Sequence, residues 1–168
     1  MTQVLKPMAI GLFIASIFSA SYALADELDF TAADFNGATV SLTQAINAAQ
    51  QATSAIAIDA EFDQHMGSNR YEVTLVNAKG QEIERFINPH NAEVTSPMFT
   101  DQDIDADDVA VRDAIRQGSS QPLVEIISQL ESQYSAKVYK VELEQERQHI
   151  SYEADLLSPE GQHIRINR

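Results

Sequence analysis

Hydrophobic spacing divides most of the chain beyond residue 40 into segments of period 3.6 and segments of period 2. Leu42, Ala45, Ile46, Ala49 and Ala52 share one face of a helix running to about Thr53, with Gln and Asn opposite. Ser41 and Gln44 have the S-x-x-Q spacing of a capping box, in which the hydroxyl takes a free helix N–H and the Gln reaches back. The period then changes. Ile56, Ile58, Ala60 and Phe62 alternate with Ala57, Asp59, Glu61 and Asp63, which predicts a half-buried strand. Gly67-Ser68-Asn69 reads as a turn, and Tyr71, Val73 and Leu75 as the apolar face of a second strand. Asn77 to Gly80 is a turn whose glycine takes positive φ at little cost. Gln81 to Ile87 makes a third strand, and Ala92 to Thr95 a short fourth after the turn at Asn88-Pro89-His90-Asn91.

The same order returns later. Leu123, Ile126, Ile127 and Leu130, with Tyr134 a turn on, mark a greasier and therefore better-buried helix. Val138 to Glu146, His149 to Leu157 and Gln162 to Ile166 follow as strands, with a turn at Ser158 to Gly161. Tyr71–Ile83 (YEVTLVNAKGQEI) and Tyr152–Ile164 (YEADLLSPEGQHI) correspond at a constant offset of 81 residues without a gap. Leu42/Leu123, Ile46/Ile127, Glu61/Glu142, Gly80/Gly161 and Ile83/Ile164 are identical pairs at that offset. The reading is an α+β chain of two repeats, residues 41–95 and 122–168, each one helix packed on a three- to four-stranded antiparallel sheet. Units this short are marginal alone, so the two are expected to pack together or to be braced by the segment between them.

That segment, residues 96–121, is an acidic linker. Asp101, Asp103, Asp105, Asp107 and Asp108 cluster at its centre, and Asp108 to Gln117 reads as a short helix with Val109, Val111, Ala114 and Ile115 as its apolar positions. Acidic residues at the front of a helix suit its dipole. Residues 26–40 read as an N-terminal arm docked through Phe30 and Phe35.

The first 25 residues carry one charge, Lys6, and an apolar run from Met8 to Phe18 that is short for a membrane span. Ala23-Leu24-Ala25 supplies the small residues of a cleavage site, so residues 1–25 read as a signal peptide cut after Ala25, with a periplasmic or secreted product and no stable membrane anchor. The chain has a formal net charge of −14, which argues against nucleic acid and anionic membranes as partners. The absence of cysteine removes disulfides, thiol catalysis and Cys-ligated zinc.

No catalytic, cofactor-binding or metal-binding residue is assigned, and no cofactor is expected. Asp101-x-Asp-x-Asp begins like a calcium loop, but Ala106 and Arg112 stand where an EF-hand needs Gly and Glu. A solvated acidic linker is the plainer reading. His65, His90, His149 and His163 lack i, i+4 pairing, although His149 and His163 fall on adjacent strands. Glu61/Glu142 and Glu72/Glu153 are repeated carboxylates at the polar phase of strands, with no nucleophile beside them, and read as solvated faces. Tyr71 and Tyr152 lie in phase with apolar neighbours and read as core rings with the hydroxyl at the rim, with a peptide-binding aromatic as the sharper alternative.

Ala45-Ile46 on a helix, Tyr71-Glu72-Val73 before Lys79-Gly80, and Phe86-Ile87-Asn88 through Glu93-Val94 together resemble the PepSY domain. The second unit resembles it through Ile126-Ile127, Tyr152-Glu153 and Glu160-Gly161. Asn88 stands where the family usually has Asp, and the second copy lacks the closing segment. The resemblance implies a helix laid across an antiparallel sheet and no catalytic residues. It implies a non-enzymatic exported protein-binding module that inhibits or modulates a secreted or envelope peptidase. A periplasmic protein that binds a small ligand or a cation such as calcium is the alternative.

Overall fold

The computed structural model of the chain describes residues 30–97, 104–147 and 149–168. The helices are α1 (Ala32–Asn36), α2 (Leu42–Thr53), α3 (Ala106–Gln117) and α4 (Leu123–Tyr134). The strands are β1 (Ile56–His65), β2 (Ser68–Val76), β3 (Glu82–Ile87), β4 (Val94–Thr95), β5 (Lys137–Glu146), β6 (His149–Leu157) and β7 (His163–Asn167). The class is α+β. The segment read as an export signal, the start of the arm, Asp101 and Asp103 lie outside the described residues.

The strands form one antiparallel sheet of seven in the order β4-β3-β2-β1-β5-β6-β7. This corrects the expectation of two separate small sheets. Each meander begins with a strand whose outer edge has unpaired backbone groups, and pairing β1 with β5 satisfies both edges at once. The pairing sets Asp59 opposite Glu142, Ala60 opposite Val141 and Glu61 opposite Lys140. Ala60 and Val141 are themselves 81 residues apart, and so are Asp59 and Lys140, and Glu61 and Glu142. A local two-fold relation centred on the Ala60–Val141 pair therefore superimposes the seam on itself.

The offset recurs in backbone detail. Both main helices end in a left-handed serine, Ser54 at φ 56° and Ser135 at φ 51°. Both first strands carry a register shift, after Ala57 and after Val138. At each shift an amide donates to a side chain of the preceding helix: Ala57 N to Gln50 Oε1 at 3.2 Å, and Val138 N to Glu131 Oε1 at 3.1 Å.

The core follows the predicted stripes except at Ala52, which is exposed, and at the start of β1, where the register shift buries both Ala57 and Ile58 and leaves Ile56 part-buried. Helix α2 buries Leu42, Ala45, Ile46 and Ala49, and α4 buries Leu123, Ile126, Ile127 and Leu130, the same four positions in each. Helix α4, expected to be the better buried, buries the same four positions as α2 but with bulkier side chains. Tyr71, Val73 and Leu75 on β2 and Val141 and Leu143 on β5 meet the helices with almost no exposure.

Two elements depart further from the pattern. The arm contains a helix, α1, that its sparse apolar residues do not announce. Thr31 and Asp34 close a capping box around it, with Asp34 N donating to Thr31 Oγ1 at 3.2 Å. Its flanking Phe30 and its own Phe35 are buried across the seam. Phe30 lies 4.9 Å from Phe62 of β1 and 5.4 Å from Tyr139 of β5, centroid to centroid. Phe35 touches the same two rings.

The linker helix α3 starts two residues earlier than predicted, with Asp105 as its cap. It packs against β1, β2 and β5. Val111 is fully buried, and Arg112 Nη1 donates to Asn77 O at 2.6 Å, pinning α3 to the β2–β3 turn. Gly80 in that turn has φ +84°, and a Cβ there would meet Val109 Cγ2 at 2.9 Å. Glycine is required both for the turn and for the approach of α3.

Tyr71 corrects the rim expectation. Its ring is buried and its hydroxyl donates to Val40 O at 2.5 Å, fastening the entry of α2 to β2. Replacing it with Phe leaves the ring in place and strands a buried carbonyl. The expected cost is about 1–2 kcal/mol, read as a lower urea midpoint with an unchanged slope.

Candidate functional site

Strand alternation fixes what lies on the side of the sheet away from the buried apolar row. Ala60 and Phe62 point into the core, so Asp59 and Glu61 point the other way. Across the seam Lys140 and Glu142 join them, and Glu72 of β2 sits opposite Glu61. Lys140 Nζ lies 3.7 Å from Glu61 and 3.8 Å from Glu142. One ammonium thus lies within 4 Å of two carboxylates in a row of four.

Beside this row, the strands and the front of α3 bound a cavity of about 410 Å³. Asp59, Glu82, Glu142 and Glu144 line it from the strands, with Thr74 and Ile58. Asp105, Asp107 and Asp108 line it from the start of α3. No Lys or Arg is among its lining residues.

Asp59 is the most unusual group. Its Oδ1 is buried and has no hydrogen-bond partner among the described residues. Burial, followed by the nearby charges of Glu61 and Glu142, pushes its carboxyl up to about 8, with Lys140 pulling the other way. Glu72 is pushed up to about 7 by burial and by its hydrogen bond and repulsion with Glu84. Asp108 is pushed up to about 6 by burial, then by Asp105 and Glu82. Burial also raises Glu61. For Lys140, burial works to lower the value, and the charges of Glu61, Asp59 and Glu142 together outweigh it, leaving the ammonium held above its ordinary range.

These findings revise the reading of the repeated carboxylates. Glu61 and Glu72 are not freely solvated: they belong to a crowded, partly buried acidic row. Glu153 stays on the rim, 3.7 Å from Arg165. The signal that could have located Asp59 was its polar phase beside Glu61. What buried its Oδ1, leaving the residue as a whole part-exposed, was the β1–β5 pairing and the overlying α3, neither of which is local in sequence.

The other singled-out residues do not converge on this site. His149 pairs with Glu146 at one end of β6, while His163 pairs with Leu157 at the other. At roughly 3.4 Å per strand residue this places the two histidines more than about 25 Å apart, so they form no pair. His163 Nδ1 lies 3.3 Å from the Tyr139 hydroxyl instead. Tyr152 is partly buried against the core. Among the described residues no three His, Asp or Glu side chains are placed to hold a metal ion. Also among the described residues, no helix is long and apolar enough to cross a membrane.

No curated protein matches the chain. A solved structure described as a "putative lipoprotein" from Clostridium difficile 630 is similar over 78% of this chain and 95% of that chain. Its sequence identity is 12% and its TM-score 0.37. The family model of the peptidase propeptide and YPEB domain, PepSY, matches residues 39–96. PepSY domains are generally non-catalytic modules. The matched stretch runs from the residue that meets Pro89 at the entry to α2, through the β1–β3 meander, to the end of β4. Over residues 39–96, this chain is similar to the PepSY domain.

Proposed function

We propose that this chain is an exported, non-catalytic binding protein built from two PepSY-like units, and that it engages another exported protein, a peptidase in the first instance. The family match over residues 39–96 carries the reading. The second unit is supported by the register of the seam, by the matched left-handed serines and by the helix-to-strand hydrogen bonds, all at the same offset of 81. A duplicated scaffold with few reactive constellations suits recognition better than turnover.

The outer strands are the physical candidates for contact. In the seven-stranded sheet, β4 and β7 lie at the two ends of the order. Such edges present backbone donors and acceptors to an added strand. The test is a set of peptidase assays on secreted and envelope peptidases from the same cells, with the processed chain in molar excess. Slowed turnover or protection of the peptidase against its own degradation is the expected result. Rates and lifetimes unchanged at saturating excess across that set would count against the reading.

A further inference from the structure

The acidic cavity has a use that does not depend on peptidase binding. Its lining is carboxylate on two sides, from the strands and from the front of α3, and it holds no basic lining residue. A cluster of acids at a helix start commonly serves the helix alone. Here a second observation separates the site from that role. Asp59 reaches the lining from the central strand of the sheet rather than from α3, and its Oδ1 is buried without a donor among the described residues. Buried carboxylate oxygens are nearly always hydrogen-bonded, so this atom can accept from a donor that enters the cavity. The chemistry that fits is a positively charged N–H group.

The shape selects among cations. A metal ion needs several oxygens converging at short range, and no three acidic or histidine groups do so among the described residues. The carboxylates are instead spread around a volume of about 410 Å³, within the range of small-molecule sites. An ammonium or guanidinium on a carbon chain reaches several of these carboxylates at once, with its stem against Ile58. We propose that this cavity is a receptor site for an organic cation, with the Asp59 carboxylate as its deepest contact.

Proton exchange accompanies binding. The groups facing Asp59 are Glu61 on its own strand, Lys140 and Glu142 across the seam, and Glu72 on β2. The α3 side adds Asp105, Asp107 and Asp108, with Glu82 opposite Asp108. Asp59 and Asp108 hold protons above the ordinary carboxylate range, so a cation that requires them ionised displaces protons and binds more tightly as pH rises from 6 to 9.

The experiment is calorimetric titration of the full processed chain at pH 6, 7.5 and 9. The probes are spermidine, acetyl-Ala-Lys-Ala-amide and calcium chloride. Saturable binding of spermidine or of the peptide is expected, with affinity rising at least tenfold across the pH range. Heats should differ between buffers of unequal ionisation enthalpy, as proton release requires. Spermidine alone binding identifies a free polyamine as the ligand class, and the peptide alone binding identifies a lysine side chain. Asp59→Asn and Asp108→Asn are each expected to weaken binding at least tenfold. Glu125→Gln, which removes one exposed charge on α4, should leave it unchanged. Neither organic probe binding, or equal losses in Asp59→Asn and Glu125→Gln, overturns the proposal, as does calcium binding more tightly than both organic probes. These outcomes are read without a peptidase, so they stand or fall separately from the proposed function.

Discussion

Replacing Asp59 with asparagine is expected to stabilise the protein at pH 8 by about 2–3 kcal/mol more than at pH 5. The sign follows from where the proton sits. In the unfolded chain Asp59 loses its proton near 3.8, and in the folded chain it holds it up to about 8. Between these values the folded state binds more protons than the unfolded state. Stability contributed by the protonated carboxyl is fully present below 3.8 and is lost as pH rises through 8. Each unit of separation corresponds to about 1.4 kcal/mol, and reorganisation around an opening cavity reduces the total well below the full product. Asparagine keeps the shape and has nothing to ionise, so the penalty disappears. Thermal melts of parent and variant from pH 5 to 9 check this. The variant's midpoint should exceed the parent's by about 5 °C or more at pH 8, and the gap should close toward pH 5. A gap independent of pH would show that Asp59 is ionised in the fold throughout.

The rest of the acidic row acts in the same direction. Glu72, raised to about 7, and Asp108, raised to about 6, are likewise protonated longer in the folded chain. The parent protein is therefore expected to lose stability progressively between about pH 4 and about pH 8, beyond what Asp59 alone explains. The loss is offset by any cation that neutralises the row. Stability and recognition are linked through the same carboxylates: a site kept empty at high pH strains the seam, and one that is filled relieves it.

Much of this architecture was legible in the sequence because its determinants are local. The stripes of α2 and α4 and the alternation of β1, β2, β5 and β6 are written in contiguous residues, and the offset of 81 tied the halves together. The Gly80 turn was legible for one of its two reasons, the positive φ, but not for the approach of Val109. What stayed hidden depends on pairs distant in the chain. Nothing near Ala60 announces that it faces Val141, and only that pairing merges two sheets into one. The candidate site was hidden for the same cause. Asp105 to Asp108 could be seen as acidic, and Asp59 as polar, but their meeting required α3 to lie against β1 and β5. The arm was misjudged for a different reason. A helix of five residues has almost no periodicity to read, and its stability comes from its cap and from two aromatic rings set into the core.

Those rings support the second large effect: Phe35→Ala is expected to destabilise the protein by about 3–4 kcal/mol. Phe35 is 4% exposed, although it sits in a segment whose sequence looks like a loose leader to the domain. Its ring stands 5.2 Å from Phe62 and 6.2 Å from Tyr139, so it touches one strand from each half of the sheet. Phe30 makes the same two contacts and lies 6.0 Å from Phe35. Removing one ring opens a cavity over the seam and weakens the edge-on packing of the others. The loss is larger than for a typical arm residue because α1 has few other contacts to hold it, and the capping box alone contributes only about 1 kcal/mol. A useful comparison is Phe86→Ala on β3. That ring is half-buried under the Arg70 guanidinium at 3.8 Å, where the expected cost is nearer 1 kcal/mol. Urea unfolding of both variants gives the contrast. The double variant Phe30→Ala/Phe35→Ala should cost less than the sum of the singles, since either loss already frees the arm. Equal, small effects of Phe35→Ala and Phe86→Ala would mean that the seam holds without α1. The larger loss at Phe35 would make the arm a structural part of the seven-stranded sheet, bracing the junction at which the two halves meet.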